Sequence, residues 1–111
     1  MGVIYWGHNN LKERYKMRVQ NEKVGGAFLK KKTATSGERD IADGYYMKRG
    51  ASISTDGAIL WSYWTPLAKW DGDRVKMDAR KYSLTTTLQQ SDLRQLCKRE
   101  GVELVEVMGD I

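Results

Sequence analysis

Acid–base or nucleophilic catalysis needs a positioned imidazole, thiol or carboxylate, and this chain is poor in the first two. It holds one histidine, His8, and one cysteine, Cys97. His8 sits among Gly7, Asn9 and Asn10 ahead of a helix signal, where it reads as a surface or capping residue. Cys97 shares an arc with Leu93 and Leu96, which predicts a buried thiol with a raised pKa rather than a nucleophile. The two cannot assemble a zinc framework, and a single cysteine makes no intrachain disulfide. Asp71, Asp73 and Asp78 cluster around one turn and could attract a divalent cation. The glycine and glutamate of a calcium loop are missing, however, and Asp-Gly-Asp is equally a polar turn. Gly25-Gly26 lacks the spacing of a phosphate loop, and residues 50–57 lack that of a dinucleotide fingerprint. No catalytic residue, metal or cofactor is expected.

Basic side chains are the stronger signal. Lys and Arg number 19 against 14 Asp and Glu, a net charge of +5. Residues 1–50 carry 11 basic and 5 acidic side chains, whereas residues 51–111 carry 8 and 9. Lys12, Arg14, Lys16, Arg18, Lys23, Lys30, Lys31 and Lys32 lie in one stretch with only Glu13 and Glu22 against them. On a helix Lys12 and Lys16 stand one turn apart, as do Arg14 and Arg18. Lys30, Lys31 and Lys32 follow on a pliable segment that can meet phosphates, and salt-dependent binding to a phosphate backbone needs little more. Tyr45, Tyr46, Trp61 and Tyr63 are the aromatics that could stack on bases. DNA, RNA or an acidic protein is therefore an expected partner, although solvated basic faces and core tryptophans are the ordinary use of the same residues.

These side chains must be held by a small structure. With 111 residues, 41% of them apolar and 30% charged, the chain fits one folded domain with one core. No basic stretch precedes an apolar run at the N-terminus, and no apolar run approaches about 20 residues, so neither a signal peptide nor a membrane span is expected. Trp6 stands where a myristoylation motif wants Ser or Thr. A cytoplasmic setting is the default expectation.

Asn10 three residues before Glu13 has capping-box spacing, and Leu11, Tyr15 and Val19 recur as one helical stripe. A strand reading competes, because Tyr15, Met17 and Val19 also alternate with polar neighbours. Good helix formers favour a helix over residues 11–24, stopping at Gly25-Gly26. Residues 30–40 offer little to bury and read as a mobile loop.

Turn signals punctuate the second half. Asp56-Gly57 suits a two-residue hairpin loop, pairing Thr55 with Ala58, Ile53 with Leu60 and Ser52 with Trp61. One face of that hairpin then shows Ile53, Leu60 and Trp64, and the other Ile59, Trp61 and Tyr63 beside Ser52 and Ser54. Either both faces are covered or the aromatic face is a contact surface; a chain with two helices is expected to cover Trp61 and Tyr63. Asp71-Gly72 turns a second hairpin of residues 67–70 against 74–77, with Ala68, Trp70, Val75 and Met77 inward and Pro66 between the hairpins. A strand over residues 81–85 leads into a helix opened by Thr87, with Gln90 at capping-box spacing, and closed by Gly101. Leu93, Leu96 and Cys97 form its buried arc, and Gln90, Arg94 and Lys98 lie on another side. A final strand covers residues 102–107. The fold expected is α+β: an antiparallel meander, a C-terminal helix over residues 87–100 packed on it, and an N-terminal helix.

Ser54-Thr55-Asp56-Gly57, then Leu60-Trp61-Ser62-Tyr63-Trp64-Thr65-Pro66-Leu67-Ala68, then Tyr82-Ser83-Leu84-Thr85-Thr86-Thr87-Leu88-Gln89-Gln90 resemble a family of small proteins of phages and other prokaryotic viruses. Its pattern is a hairpin ending in L-x-S-Y-x-T-P, Ile or Leu, then Ala, and later Y-S-x-T-T followed by His-Gln. The likeness covers about a third of the chain. It implies origin more than mechanism, since the family carries no established activity. Where the family often has His, this chain has Gln89, so any acid–base or metal role of that His is lost here. The first 50 residues match nothing in the pattern.

Ser62, Thr65, Tyr82, Ser83, Thr85, Thr86 and Gln90 are the polar side chains of the two motifs. They read as structural, Ser62 and Thr65 bonding backbone around Pro66 and Thr85, Thr86 and Thr87 capping the last helix. The alternative is a hydroxyl cluster that, with Tyr63 and Tyr82, contacts a ligand. Together these readings lead to a non-enzymatic accessory protein in a host cytoplasm that binds a host protein or nucleoprotein, as inhibitors of host defence do. The alternatives are a direct DNA- or RNA-binding protein and a small enzyme using carboxylates or hydroxyls. A homodimer stays open.

Overall fold

The computed structural model describes residues 2–36 and 52–111, and within its first helix it describes side chains from Arg14 onward. Helix α1 spans Gly2–Leu29 and α2 spans Leu84–Glu100. Six strands are described: β1 (Ala34–Thr35), β2 (Ile53–Thr55), β3 (Ile59–Ser62), β4 (Thr65–Asp71), β5 (Arg74–Asp78) and β6 (Leu104–Val107). They lie side by side in chain order. Neighbours from β1 to β5 are antiparallel, while β6 runs parallel to β5. A parallel neighbour needs a crossover, and α2 supplies it. The α+β expectation is met.

One sheet face carries the core. Ile53, Leu60, Ala68, Val75 and Met77 are buried there against Val24 and Phe28 of α1 and Leu93 and Cys97 of α2. The Trp70 indole N–H donates to the Phe28 carbonyl at 2.9 Å, tying α1 to the sheet. Among the described residues no helix is long and apolar enough to cross a membrane.

Several expectations need correction. α1 does not stop at Gly25-Gly26. A β-carbon on Gly25 would lie 2.7 Å from Leu96 Cδ1, so this is where the two helices touch. The stripe of Tyr15 and Val19 is not the buried one: the two are 70% and 48% exposed, and Asn21, Val24 and Phe28 are turned inward instead. Residues 34–36 are no loop, because β1 pairs with β2 and the Ser36 amide donates to the Ile53 carbonyl; residues 37–40, like Tyr45 and Tyr46, lie outside the described residues.

The first hairpin pairs Thr55 with Leu60 and Ile53 with Ser62, a wider loop than expected. Thr55 Oγ1 accepts from the Gly57 amide, and Asp56 Oδ1 accepts from the amides of Ala58 and Ile59, so side chains stabilise a four-residue loop over the tight one. Because the register moves by two, Ile53 and Leu60 still share a face. Pro66 is not between hairpins but in β4, opposite Trp61, where a bulge leaves Leu67 as the extra residue. The turn before it is Tyr63-Trp64, with Tyr63 at φ 56°. Trp64 is exposed rather than sharing the face of Ile53.

No strand forms over residues 81–85. Ser83, not Thr87, is the N-cap of α2, its hydroxyl accepting from the Thr86 amide. Gly101, at φ 72°, closes the helix as expected. Gln90 is buried, not on an outer side: its amide nitrogen donates to the carbonyls of Asp78 and Arg80 at 2.7 and 2.9 Å and so fastens the β5–α2 connection.

Candidate functional site

Three of the exposed large apolar side chains, Tyr15, Val19 and Tyr63, converge on one groove. On α1, Tyr15 and Val19 are separated by four residues, and Lys16 and Gln20 repeat that spacing one position on, so the four form a continuous strip. Ser52 and Tyr63 stand across from it and Thr85, near the start of α2, closes one end, enclosing about 540 Å³. Tyr63 is 46% exposed, which corrects the expectation that it is covered. Its left-handed backbone is uncommon for a bulky residue and follows from the two-residue turn. The Ser52 carbonyl holds that turn, accepting from the Tyr63 amide at 3.0 Å and from the Gln89 side-chain amide at 2.7 Å. Gln89, where the resembled family often has His, thus fixes a groove wall.

The basic residues singled out from the sequence do not form one patch. Arg14 is not a free cation: its Nη2 and Nη1 donate to the two carboxylate oxygens of Asp92 at 2.9 and 3.2 Å, and the Asn21 amide adds a third bond to the same carboxylate. Arg18 pairs with Glu22 at 3.6 Å. Lys12 lies in α1, but its side chain is outside the described ones. Lys16 lines the groove. Lys31 Nζ sits 4.7 Å above the Trp70 ring. Lys30 and Lys32 join Lys23 and Arg99 around a second cleft of about 590 Å³ near the C-terminal ends of both helices, with Glu22 and Glu100 on the same walls. Cations there also answer the negative ends of the two helix dipoles.

The motif residues separate into two networks. The Ser62 and Thr86 hydroxyls are 2.8 Å apart and Ser83 joins them, so this group links β3 to the start of α2. Tyr82 and Gln90 belong to the other network, around Asp78. Thr65 is exposed at the head of β4 and Thr85 faces the groove. Trp61 is half-buried on the sheet face away from the helices.

Asp78 is buried, and burial acts to raise its pKa. Hydrogen bonds from the Arg80 guanidinium and the Tyr82 hydroxyl outweigh that and hold it at about 2, below the ordinary 3.8. The Asp78 bond in turn pushes the Tyr82 hydroxyl above its ordinary value. A carboxyl held low in the folded state stabilises the fold fully above its unfolded pKa and loses that contribution as pH falls through the folded one. The unfolding temperature is therefore expected to drop between about pH 4 and pH 2, and Asp78→Asn to flatten that limb in a thermal series.

Asp71 faces Arg74, so the three aspartates do not converge, and among the described residues no group of three His, Cys, Asp or Glu could hold a metal ion. Cys97 is buried, and burial raises its thiol to about 11. The groove offers binding surface, with an apolar strip, two phenols and one ammonium. Sequence reading missed Tyr15, Met17, Val19, Gln20 and Ser52 as groove residues because Tyr15 and Val19 look like a core stripe, while the side of α1 that is buried carries the polar Arg14 and Asn21 and so gives no local signal. No family model, curated protein or solved structure matches the chain.

Proposed function

We propose that the chain is a small accessory protein of a prokaryotic virus that acts by binding, engaging a host protein or nucleoprotein at the groove bounded by Tyr15, Val19 and Tyr63. The observation that carries this reading is the exposure of large apolar side chains about one groove while the core of the same small domain is closed. Tyr15, Val19 and Tyr63 line that groove, and Trp64, next to Tyr63 in the same turn, is 71% exposed. Exposed aromatics around a concavity are the anchors that protein interfaces use. Lys16 and Gln20 on the rim suit a partner that brings an apolar side chain beside an acidic one. The viral origin rests on the resemblance of the two motifs.

The test is capture from a prokaryotic host lysate with and without nuclease, followed by titration of the captured protein against variants. Tyr15→Ala and Tyr63→Gly are each expected to weaken binding roughly tenfold or more. Tyr63→Gly is expected to melt no lower than the parent, because glycine adopts the left-handed turn without strain. Full-strength binding by the combined Tyr15→Ala/Tyr63→Gly protein would refute the reading.

A further inference from the structure

The sheet face turned away from the helices has its own chemistry. Ile59 pairs with Lys69, Lys69 with Lys76, and Lys76 with Val105, so the four form one row across β3 to β6. Trp61, two residues from Ile59, lies on the same face. Ile59, Trp61, Lys69, Lys76 and Val105 are each partly exposed there, whereas Ser54, opposite Trp61, is buried. Like charges directly opposite each other destabilise a sheet. Yet neither lysine has an ion-pair partner among the described residues, whereas Arg74 on the same face takes both Asp71 and Glu103, at 3.7 and 3.8 Å. Trp61 is unspent in the same sense. The Trp70 indole donates to a carbonyl, but the half-buried Trp61 indole N–H has no partner among the described residues.

We propose that this face binds single-stranded nucleic acid, with the Lys69 and Lys76 ammonium groups on its phosphates and the Trp61 ring under a base. Cross-strand neighbours stand about 5 Å apart, so the two ammonium groups work side by side. A phosphodiester backbone brings a charge with every nucleotide, while an isolated carboxylate answers only one of them. The apolar surface of Ile59, Trp61 and Val105 beside the pair receives a base, whose π face is free in a single strand and stacked away in a duplex. This surface is distinct from the groove.

The experiment titrates the full chain with a labelled single-stranded oligothymidylate across a salt series. Lys69→Gln/Lys76→Gln is expected to bind about tenfold more weakly at low salt, and its slope of log affinity on log salt to fall by about 1.4, the share of two phosphates. The same protein is expected to melt no lower than the parent, since the substitution removes a repulsion. Trp61→Leu, which keeps an apolar side chain, is expected to weaken binding about tenfold with the slope unchanged. An unchanged slope in the double lysine variant, full binding by Trp61→Leu, or a preference for polyglutamate over the oligonucleotide would each overturn the assignment.

Discussion

Arg14→Ala is expected to lower the unfolding free energy by about 2 to 3 kcal/mol, read as a shifted urea midpoint with unchanged slope. Its guanidinium makes both bonds of a bidentate pair with Asp92, whose side chain is 8% exposed against 30% for that of Arg14. Truncation leaves the carboxylate in a near-buried site with the Asn21 amide as its one remaining side-chain donor among the described residues. The pair is also the polar lock between α1 and α2, so the loss is felt as helix undocking. Arg14→Lys is expected to recover only part of it, because an ammonium cannot match both carboxylate oxygens. A protein lacking Arg14 that melts normally yet fails to bind would return this residue to the contact surface.

Gly57→Ala is expected to cost about 3 kcal/mol, from a backbone conformation that L residues avoid together with a close approach of main chains. Gly57 has φ 97°, and a β-carbon there would meet the Lys31 carbonyl oxygen at 2.7 Å and its carbon at 2.8 Å. Neither atom is a flexible side-chain end, so relief requires moving the segment that leads from α1 into β1. Lys31 is itself left-handed, at φ 59°, at that crossing. Thermal unfolding measures the loss. The control is Gly72→Ala, where φ is also positive but a β-carbon meets nothing within 4 Å, so only the conformational part of the cost remains.

The second hairpin and the closing helix are legible in the sequence because local signals agree there: an Asp-Gly-Asp turn between alternating runs, and Gly101 after an apolar arc. The facing of Lys69 and Lys76 is not legible in the same way: pairing residues 67–70 with 74–77 one for one would set Lys69 opposite Val75, whereas Asp71 pairs with Arg74 and the loop is Gly72-Asp73. The first hairpin is legible in its faces but not its loop, since Thr55 and Asp56 offer side-chain bonds that a two-residue turn cannot use. α1 is the element least readable by pattern. Its periodic apolar residues, Tyr15 and Val19, are the exposed ones, while its buried face includes Asn21 and is anchored by Arg14, both of which donate to a carboxylate far along the chain. A polar contact between residues 78 positions apart leaves no trace in local periodicity. The groove is hidden for the same reason, because it exists only where that helix, the Tyr63 turn and the start of α2 meet.

The crossover through α2 sets an order of events for the newborn chain. α1 is synthesised first, but Arg14 and Gly25 receive their partners, Asp92 and Leu96, only once α2 exists, and β6 can join β5 only after α2 has crossed the sheet. The hairpins of β2 to β5 close locally, whereas both helix docking and the last strand pairing must bridge long loops, whose closure entropy is spent before any contact rewards it. Until α2 leaves the ribosome, Val24 and Phe28 lack the cover of Leu93 and Cys97, and Tyr15 and Val19 on the other side of α1 are exposed as they are in the finished fold. Chains halted before Leu84 should therefore be captured by hydrophobic-surface chaperones, and release should coincide with completion of the sheet.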